Sequence, residues 1–118
     1  MKSFAELVAD SKARITEVTA AETVARCAAG GSVVLIDVRE DREWNLGHAA
    51  GAVHMSRGTI ESKIEGSVPR DAQVVLYCAS GNRSALSAES LRAMGYANVS
   101  SLAGGFRAWV DANGEVEG

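Results

Sequence analysis

Two short apolar runs constrain the fold of this chain more than any other feature. Residues Val33–Ile36 read Val-Val-Leu-Ile and residues Val74–Tyr77 read Val-Val-Leu-Tyr, with no polar residue between the apolar ones. A strand with one face in water alternates apolar and polar side chains, whereas a strand of a parallel sheet is covered by helices on both faces and is apolar throughout. The two runs therefore predict central strands of a mostly parallel sheet.

Three further strands complete the predicted sheet, and helices separate them. The residues at 15–18, 53–56 and 99–102 predict these strands, which brings the sheet to about five. Between the strands, apolar residues recur at the three- and four-residue spacing of helices. The predicted helices cover 3–12, the stretch after the Thr19-x-x-Glu22 capping box, 41–46, the surroundings of Ile60 and Ile64, 83–94, and the surroundings of Phe106 and Trp109. This alternation predicts an α/β fold with helices on both faces of the sheet.

The length of the chain, 118 residues, is that of one ordinary domain. The alternation of strands and helices occupies residues 15–114, and we assign the domain to that range. Residues 1–14 are predicted to be an N-terminal helical extension, and residues 115–118 are predicted to be a frayed tail.

Composition and charge exclude several classes of protein. With 12 basic and 15 acidic residues the formal net charge is −3, which argues against a nucleic-acid-binding surface. Charged residues interrupt 1–14 and leave no secretory signal, and no stretch approaches the ~18 apolar residues of a membrane helix. We therefore expect a cytoplasmic protein without nucleic-acid or membrane partners. Two cysteines and two histidines at these spacings make neither a disulfide framework nor a four-ligand zinc site, and no metal site is predicted.

The loop after the second apolar run carries the candidate chemistry. It reads Cys78-Ala79-Ser80-Gly81-Asn82-Arg83-Ser84 and leads into a predicted helix. Backbone N–H groups of such a loop can converge on the cysteine sulfur, and the helix N-terminus adds to the positive potential there. Gly81 permits the positive φ that a tight loop needs, and Arg83 brings a fixed positive charge. We therefore predict that Cys78 ionises easily and acts as a nucleophile.

The other reading of Cys78 is a buried structural thiol at the end of a strand. A merely structural cysteine does not require a Gly-Asn-Arg-Ser turn into a helix, so we favour the functional reading. Cys27 lies on the apolar face of a predicted helix with Val24 and Ala28, and we interpret it as a packing residue.

Other polar and aromatic residues near the strand ends have competing interpretations. Asp37, Arg39 and Arg57 follow predicted strands and are candidates for the rim of a pocket. For the first two we favour a structural role, in which Asp37 caps a turn and Arg39 pairs with a carboxylate such as Glu43. His48 is expected to be held by hydrogen bonds to the backbone and His54 to be structural. Both tryptophans, Trp44 and Trp109, are interpreted as core packing.

Four motifs in order resemble the single-domain rhodaneses, a family of sulfurtransferases, over about residues 15–109. They are Ile36-Asp37-Val38-Arg39-Glu40, Gly47-His48-Ala49-Ala50-Gly51-Ala52, Cys78-x-x-x-x-Arg83-Ser84, and Leu102-Ala103-Gly104-Gly105 with Trp109 following. Each motif alone is weak, but the ordered set is specific. The family usually has Ile-Pro where this chain has Ala49-Ala50, which affects a turn and not the chemistry.

The resemblance implies an activity and a site. The thiolate of Cys78 would take the outer sulfur of a donor such as thiosulfate and form a persulfide, which the N–H groups of Ala79–Ser84 would hold. Cyanide, or a thiol of a small molecule or of a protein, would then accept the sulfur. Arg83, with Arg57 from a neighbouring loop, would orient the anionic donor, and no cofactor would be needed.

Two alternatives stay open. One is a persulfide carrier that passes sulfur to a partner protein without turnover on small molecules. The other is a cysteine phosphatase or arsenate reductase, which also uses a cysteine loop, an arginine and a helix N-terminus. The phosphatase signature has five residues between cysteine and arginine, whereas four residues separate Cys78 from Arg83. The shorter loop favours a single sulfur atom over a phosphate.

Overall fold

Helices and strands alternate along most of the chain in a computed structural model that describes residues 1–118. In order, the elements are α1 (Phe4–Arg14), β1 (Thr16–Val18), α2 (Ala20–Ala28), β2 (Val33–Asp37), α3 (Asp41–Asn45), β3 (His48–Ala49), β4 (Val53–His54), α4 (Ile60–Ile64), β5 (Gln73–Tyr77), α5 (Asn82–Ala93), β6 (Val99–Leu102), α6 (Gly105–Asp111) and β7 (Val116–Glu117). None of these helices combines the length and the apolar composition that crossing a bilayer requires.

The central sheet has five strands in the order β1-β6-β5-β2-β4, and all of its pairings are parallel. The two apolar runs lie side by side at its centre, with Val34 opposite Val74 and Ile36 opposite Leu76. Both strands are covered by helices, which is why neither alternates with polar residues. The predicted α/β fold with about five parallel strands is confirmed.

Each face of the sheet carries its own hydrophobic core, and β5 contributes to both. Val74 and Leu76 pack on one side and Val75 and Tyr77 on the other, because successive side chains of a strand point in opposite directions. On the first side α4 and α5 supply Ile60, Ile64, Ala88 and Leu91. On the second side α2 and α6 supply Ala20 and Trp109. The helices therefore hold β5, and the loop that follows it, from both faces.

The N-terminal helix α1 packs against α5. A capping box of Ser3 and Glu6 starts α1, and the side chains of Val8 and Ser11 are buried. The Ser11 hydroxyl donates to Glu89 of α5 at 2.8 Å, and Arg14 pairs with the same carboxylate. The extension therefore covers α5, the helix that begins at the candidate loop.

The C-terminal tail differs from the prediction. Residues 115–118 were expected to fray, but β7 pairs antiparallel with β3. The indole of Trp109 donates to the Glu115 carbonyl at 2.8 Å, and the Ala50 N–H donates to the same oxygen at 2.9 Å. A short polar tail has no local pattern that reports such contacts, because the groups that hold it lie elsewhere in the chain.

Candidate active site

Cys78 is the first residue after the central strand, at the edge of the sheet where the strands end. It begins the loop that leads into α5, and only 1% of its surface is exposed. In open parallel sheets this edge is where ligands bind. The side chains of Ala79 and Ser80 face solvent, so the outer wall of the loop is small and polar.

Three hydrogen-bond donors converge on the sulfur of Cys78. The N–H groups of Gly81 and Ser84 lie 3.1 and 3.4 Å from Sγ, and the Ser84 hydroxyl lies 3.6 Å from it. Gly81 has φ +98°, the left-handed conformation that was predicted for it. Burial by itself would raise the pKa of Cys78, but hydrogen bonds from Ser84, Ser80 and Gly81 outweigh it, and the pKa falls below its ordinary value. The loop therefore favours the thiolate.

Cys27 shows the opposite behaviour. It is partly exposed on α2, and burial raises the pKa of its thiol. No hydrogen-bond donor approaches its sulfur, and burial outweighs the charge of Arg26, which acts in the opposite direction. Of the two cysteines, Cys78 alone lies in an environment that stabilises a thiolate.

Arg83 forms a two-point ion pair with Glu43 of α3. Its Nη1 and Nη2 donate to Oε1 and Oε2 at 2.8 and 3.1 Å. These bonds lower the pKa of Glu43 to about 2. They are also the main cause of a raised pKa for Arg83, to which the nearby charge of Cys78 adds. Arg83 therefore interacts with both the Cys78 sulfur and a carboxylate. Arg39 was expected to pair with a carboxylate such as Glu43. It does pair with a carboxylate, but this is Asp37, and Glu43 binds Arg83 instead.

The start of α6 packs directly on the backbone of the loop. The Phe106 N–H donates to the Cys78 carbonyl at 2.7 Å. Gly105 has φ +60°, and a Cβ atom there would lie 2.4 Å from the Cys78 carbonyl oxygen and 2.6 Å from the Ala79 carbonyl carbon. Gly105 is thus required by the close approach of two backbone segments.

Asp37 and Arg39 form a buried ion pair beside the loop. The Arg39 guanidinium donates to Asp37 Oδ2 at 2.8 Å and to the Gly47 carbonyl at 2.7 Å. Its Cζ atom lies 4.4 Å from the ring centre of Phe106. The Arg39 N–H also donates to Asp37 Oδ1 at 2.8 Å, as expected if Asp37 caps a turn. Since the Asp37 side chain is wholly buried, the pair braces the neighbouring segments.

Arg57 lines a cavity to which no residue of the cysteine loop contributes. This cavity of about 510 Å³ lies between the start of α4 and the middle of α5 and is also lined by Glu61 and Ser87. Arg57 makes no hydrogen bond to the residues of the loop. The structure therefore brings together Cys78 and Arg83 but not Arg57.

The two histidines flank Trp44. The ring of His48 stacks on Trp44 with 3.4 Å between centroids, and its Nδ1 lies 3.1 Å from the Trp44 carbonyl oxygen. His54 stacks on Trp44 at 5.0 Å, and its Nε2 lies 2.8 Å from the Arg39 carbonyl oxygen. Trp44 is half-buried in this stack, so the prediction that it packs in the core is wrong. The carbonyl contacts are those of structural histidines.

Two residues of the site escaped the sequence analysis. Glu43 was noted only as a partner for Arg39, and Ser101 of β6 was not singled out. The Ser101 hydroxyl lies 2.8 Å from that of Ser84, and both side chains are fully buried. The one signal in the sequence that could have indicated Ser101 is the presence of a polar residue in a strand that is expected to be covered on both faces.

Comparison with known proteins identifies a family and several relatives. Residues 19–112 match the profile of the Rhodanese-like domain. The chain is 34% identical over 113 residues to "Probable adenylyltransferase/sulfurtransferase MoeZ" of Mycobacterium tuberculosis, which covers 92% of this chain and 29% of that protein. The chain thus spans less than a third of the length of this curated relative.

Two solved structures show the same fold. A protein of unknown function from Rhodopseudomonas palustris, called a "Possible Tyrosine Phosphatase", has a TM-score of 0.90 at 32% identity, and the match covers 99% of this chain and 96% of that one. A thiosulfate sulfurtransferase from Pseudomonas aeruginosa has a TM-score of 0.79 at 29% identity, over 86% of this chain and 20% of that one.

Proposed function

Because the chain belongs to the rhodanese-like domain family, we propose that it is a sulfurtransferase that carries the transferred sulfur on Cys78 as a persulfide. One observation carries the proposal: the N–H groups of Gly81 and Ser84 donate to the Cys78 sulfur, and the Ser84 hydroxyl lies within hydrogen-bonding distance of it. Such donors stabilise a thiolate before the reaction and an anionic persulfide after it. The relatives named as sulfurtransferases support the same class of reaction.

The proposed reaction has two steps, written here for thiosulfate. The Cys78 thiolate attacks the outer sulfur of the donor, a new S–S bond forms, and the S–S bond of the donor breaks with its electron pair leaving on sulfite. The acceptor, cyanide or a thiolate, then attacks the outer sulfur of the persulfide, and the Cys78 thiolate leaves. Sulfur itself supplies the covalent chemistry, so the proposal includes no metal or organic cofactor.

The remaining residues of the loop have roles in binding. The backbone N–H groups of Ala79–Ser84 would hold the persulfide and the departing anion, and Arg83 would orient an anionic donor. Arg57 would act only on a donor or acceptor that extends from the loop to its cavity beside α5.

Sulfur uptake is the direct test. The protein is incubated with thiosulfate or with a small thiol persulfide, and its intact mass is measured. We expect a gain of one sulfur atom, removed by cyanide as thiocyanate. A Cys27→Ser variant should behave like the wild type, since Cys27 has no donors around its sulfur. A protein that gains no sulfur from either donor contradicts the proposal.

A persulfide carrier is the nearest alternative. It is favoured by MoeZ, whose name joins sulfurtransferase with adenylyltransferase in a longer protein. A carrier would take up one sulfur atom but would release it to cyanide or small thiols no faster than a free cysteine persulfide does. Repeated thiocyanate formation from excess thiosulfate therefore separates the enzyme from the carrier.

A phosphatase is the second alternative, and the name of the Rhodopseudomonas palustris protein is the observation that favours it. The aryl phosphate p-nitrophenyl phosphate is the probe. We expect no hydrolysis above background, because the donors of the short loop are directed at the sulfur. Hydrolysis that depends on Cys78, without sulfur uptake, would establish the phosphatase instead.

Replacement of the loop arginine should weaken the use of an anionic donor. Arg83→Ala removes a charge-assisted contact worth about 1.5–3 kcal/mol, so kcat/KM for thiosulfate should fall by roughly 10- to 100-fold. Unfolding should change little, because the pair with Glu43 is about a quarter exposed on each side. Glu43→Gln is the control, since it keeps the guanidinium and should stay within a few-fold of the wild type. Normal thiosulfate turnover in Arg83→Ala with a large loss of thermal stability would show that Arg83 is only structural.

A further inference from the structure

Two buried serine hydroxyl groups form a chain of contacts that ends at the sulfur of the candidate nucleophile. The Ser84 Oγ lies 3.6 Å from the Cys78 sulfur, and the Ser101 Oγ lies 2.8 Å from the Ser84 Oγ. Both serine side chains are fully buried, so water does not compete for these contacts. Ser84 belongs to the first turn of α5, whereas Ser101 comes from β6, the neighbour of β5 in the sheet.

The direction of these bonds follows from counting protons. Each serine hydroxyl has one proton and two lone pairs, and a thiolate has no proton. Ser84 can give its proton to the sulfur only if its contact with Ser101 is one in which Ser84 accepts. Ser101 has no other side-chain partner, so its proton is free to serve that contact. With a thiolate or an anionic persulfide on Cys78, the chain must run from Ser101 to Ser84 to sulfur.

We propose that Ser101 is a positioning residue, whose hydroxyl donates to Ser84 and thereby keeps the Ser84 proton directed at the sulfur of Cys78. Without Ser101, the Ser84 hydroxyl can rotate towards the backbone carbonyl of Gly81 or Ser80, three or four residues earlier, as serines in helices do. The sulfur would then keep its N–H donors and lose its hydroxyl donor. The inference deepens the proposed function, since it rests on Cys78 as the reacting group, but it can be tested without any sulfur transfer.

Substitution of Ser101 leaves the charged groups around the loop unchanged. Arg83 and its partner Glu43 lie on one side, and the buried pair of Asp37 and Arg39 lies on another. The strand that carries Ser101, β6, contains no charged residue. A change in the titration of Cys78 after substitution of Ser101 therefore reports the hydroxyl chain and not a lost charge.

The experiment measures the rate of alkylation of Cys78 by iodoacetamide as a function of pH, in a Cys27→Ser background. Only the thiolate reacts, so the midpoint of the profile reports its formation. Ser101→Ala should move the midpoint upward by about one to two units, the effect of one hydrogen bond to a charged group. Ser100→Ala is the matched control, because Ser100 precedes it in the strand, makes no side-chain hydrogen bond, and should leave the midpoint unchanged.

Further variants distinguish positioning from packing. Ser101→Thr keeps the hydroxyl and should retain the wild-type midpoint. Ser101→Val has the shape of the Thr variant without the hydroxyl and should behave like Ser101→Ala. Ser84→Ala should shift the midpoint at least as far as Ser101→Ala does. The Ser84→Ala/Ser101→Ala double variant should shift it no further than Ser84→Ala alone, since Ser101 acts through Ser84.

Two results would overturn the inference. One is equal midpoints for the Thr and Val variants, and the other is a Ser101→Ala shift that persists undiminished when Ser84 is absent. Both results would overturn the inference whether or not the protein transfers sulfur. Conversely, if the expected shifts are found but the protein takes up no sulfur, the positioning role of Ser101 is supported and the proposed function is refuted.

Discussion

The Cys78→Ser variant should take up no sulfur and should form no thiocyanate from thiosulfate and cyanide. A serine hydroxyl does not ionise near neutral pH and cannot form a persulfide, so the hydrogen-bond donors of the loop would surround an unreactive oxygen. Enzymes that lose their nucleophile commonly lose activity by roughly 10⁴-fold or more, and we expect a loss of that size. The measurements are intact mass after exposure to thiosulfate and the rate of thiocyanate formation.

The substitution should leave the fold intact. Oxygen replaces sulfur in a fully buried position where Gly81 and Ser84 already supply hydrogen-bond donors, so no polar atom is left without a partner. Cys27→Ser is the matched control and should keep both uptake and turnover. Sulfur uptake that survives in Cys78→Ser and disappears in Cys27→Ser would move the reaction to the other cysteine and refute the proposed site.

Gly105→Ala is expected to destabilise the protein strongly. The new methyl group would lie 2.4 Å from the Cys78 carbonyl oxygen, and the residue already has φ +60°. Left-handed backbone costs a non-glycine residue about 1–2 kcal/mol, and overpacking against backbone adds about 1–3 kcal/mol. We therefore expect a loss of about 3 kcal/mol or more in the free energy of unfolding, measured by denaturant titration. Sulfur uptake should fall as well, because the segment pushed away is the one that carries Cys78.

Two other glycines separate the cost of the left-handed backbone from the cost of overpacking. Gly30 has φ +76° and nothing within 4 Å of a Cβ atom, so Gly30→Ala should show the backbone cost alone. Gly66 has neither a positive φ nor a close neighbour, and Gly66→Ala should be nearly neutral. If Gly105→Ala lost no more stability than Gly30→Ala and took up sulfur normally, the contact between α6 and the loop would not be the constraint described here.

The central part of the fold could be predicted because its signals are local. The runs Val33–Ile36 and Val74–Tyr77 indicated doubly covered strands, and β2 and β5 are neighbours at the centre of the sheet. The capping box at Thr19 likewise marked the start of α2, where the Thr19 hydroxyl accepts from the Glu22 N–H. Each of these inferences depends only on residues within one turn or one strand.

Two of the errors, the frayed tail and the partner of Glu43, have one cause, which is that a contact between distant residues has no local signature. The tail is ordered because Trp109 and Ala50 bind the Glu115 carbonyl, although nothing in 115–118 itself predicts a strand. Glu43 pairs with Arg83, which is 40 positions away, and not with Arg39 nearby. Arg39 pairs instead with Asp37, two positions away, because the two side chains are buried together.

The sequence by itself determined that a parallel sheet ends in a cysteine followed by a glycine-containing loop and a helix. That order of elements suffices to place Cys78 at the ligand-binding edge and to surround it with N–H groups, since strand, loop and helix are consecutive. Only the tertiary structure decided which distant groups act on this loop: Glu43 on Arg83, the Phe106 N–H on the Cys78 carbonyl, and Ser101 on Ser84. The physical reason is that the crossovers between parallel strands bring these groups together, and their positions are settled by how the helices pack on the two faces of the sheet.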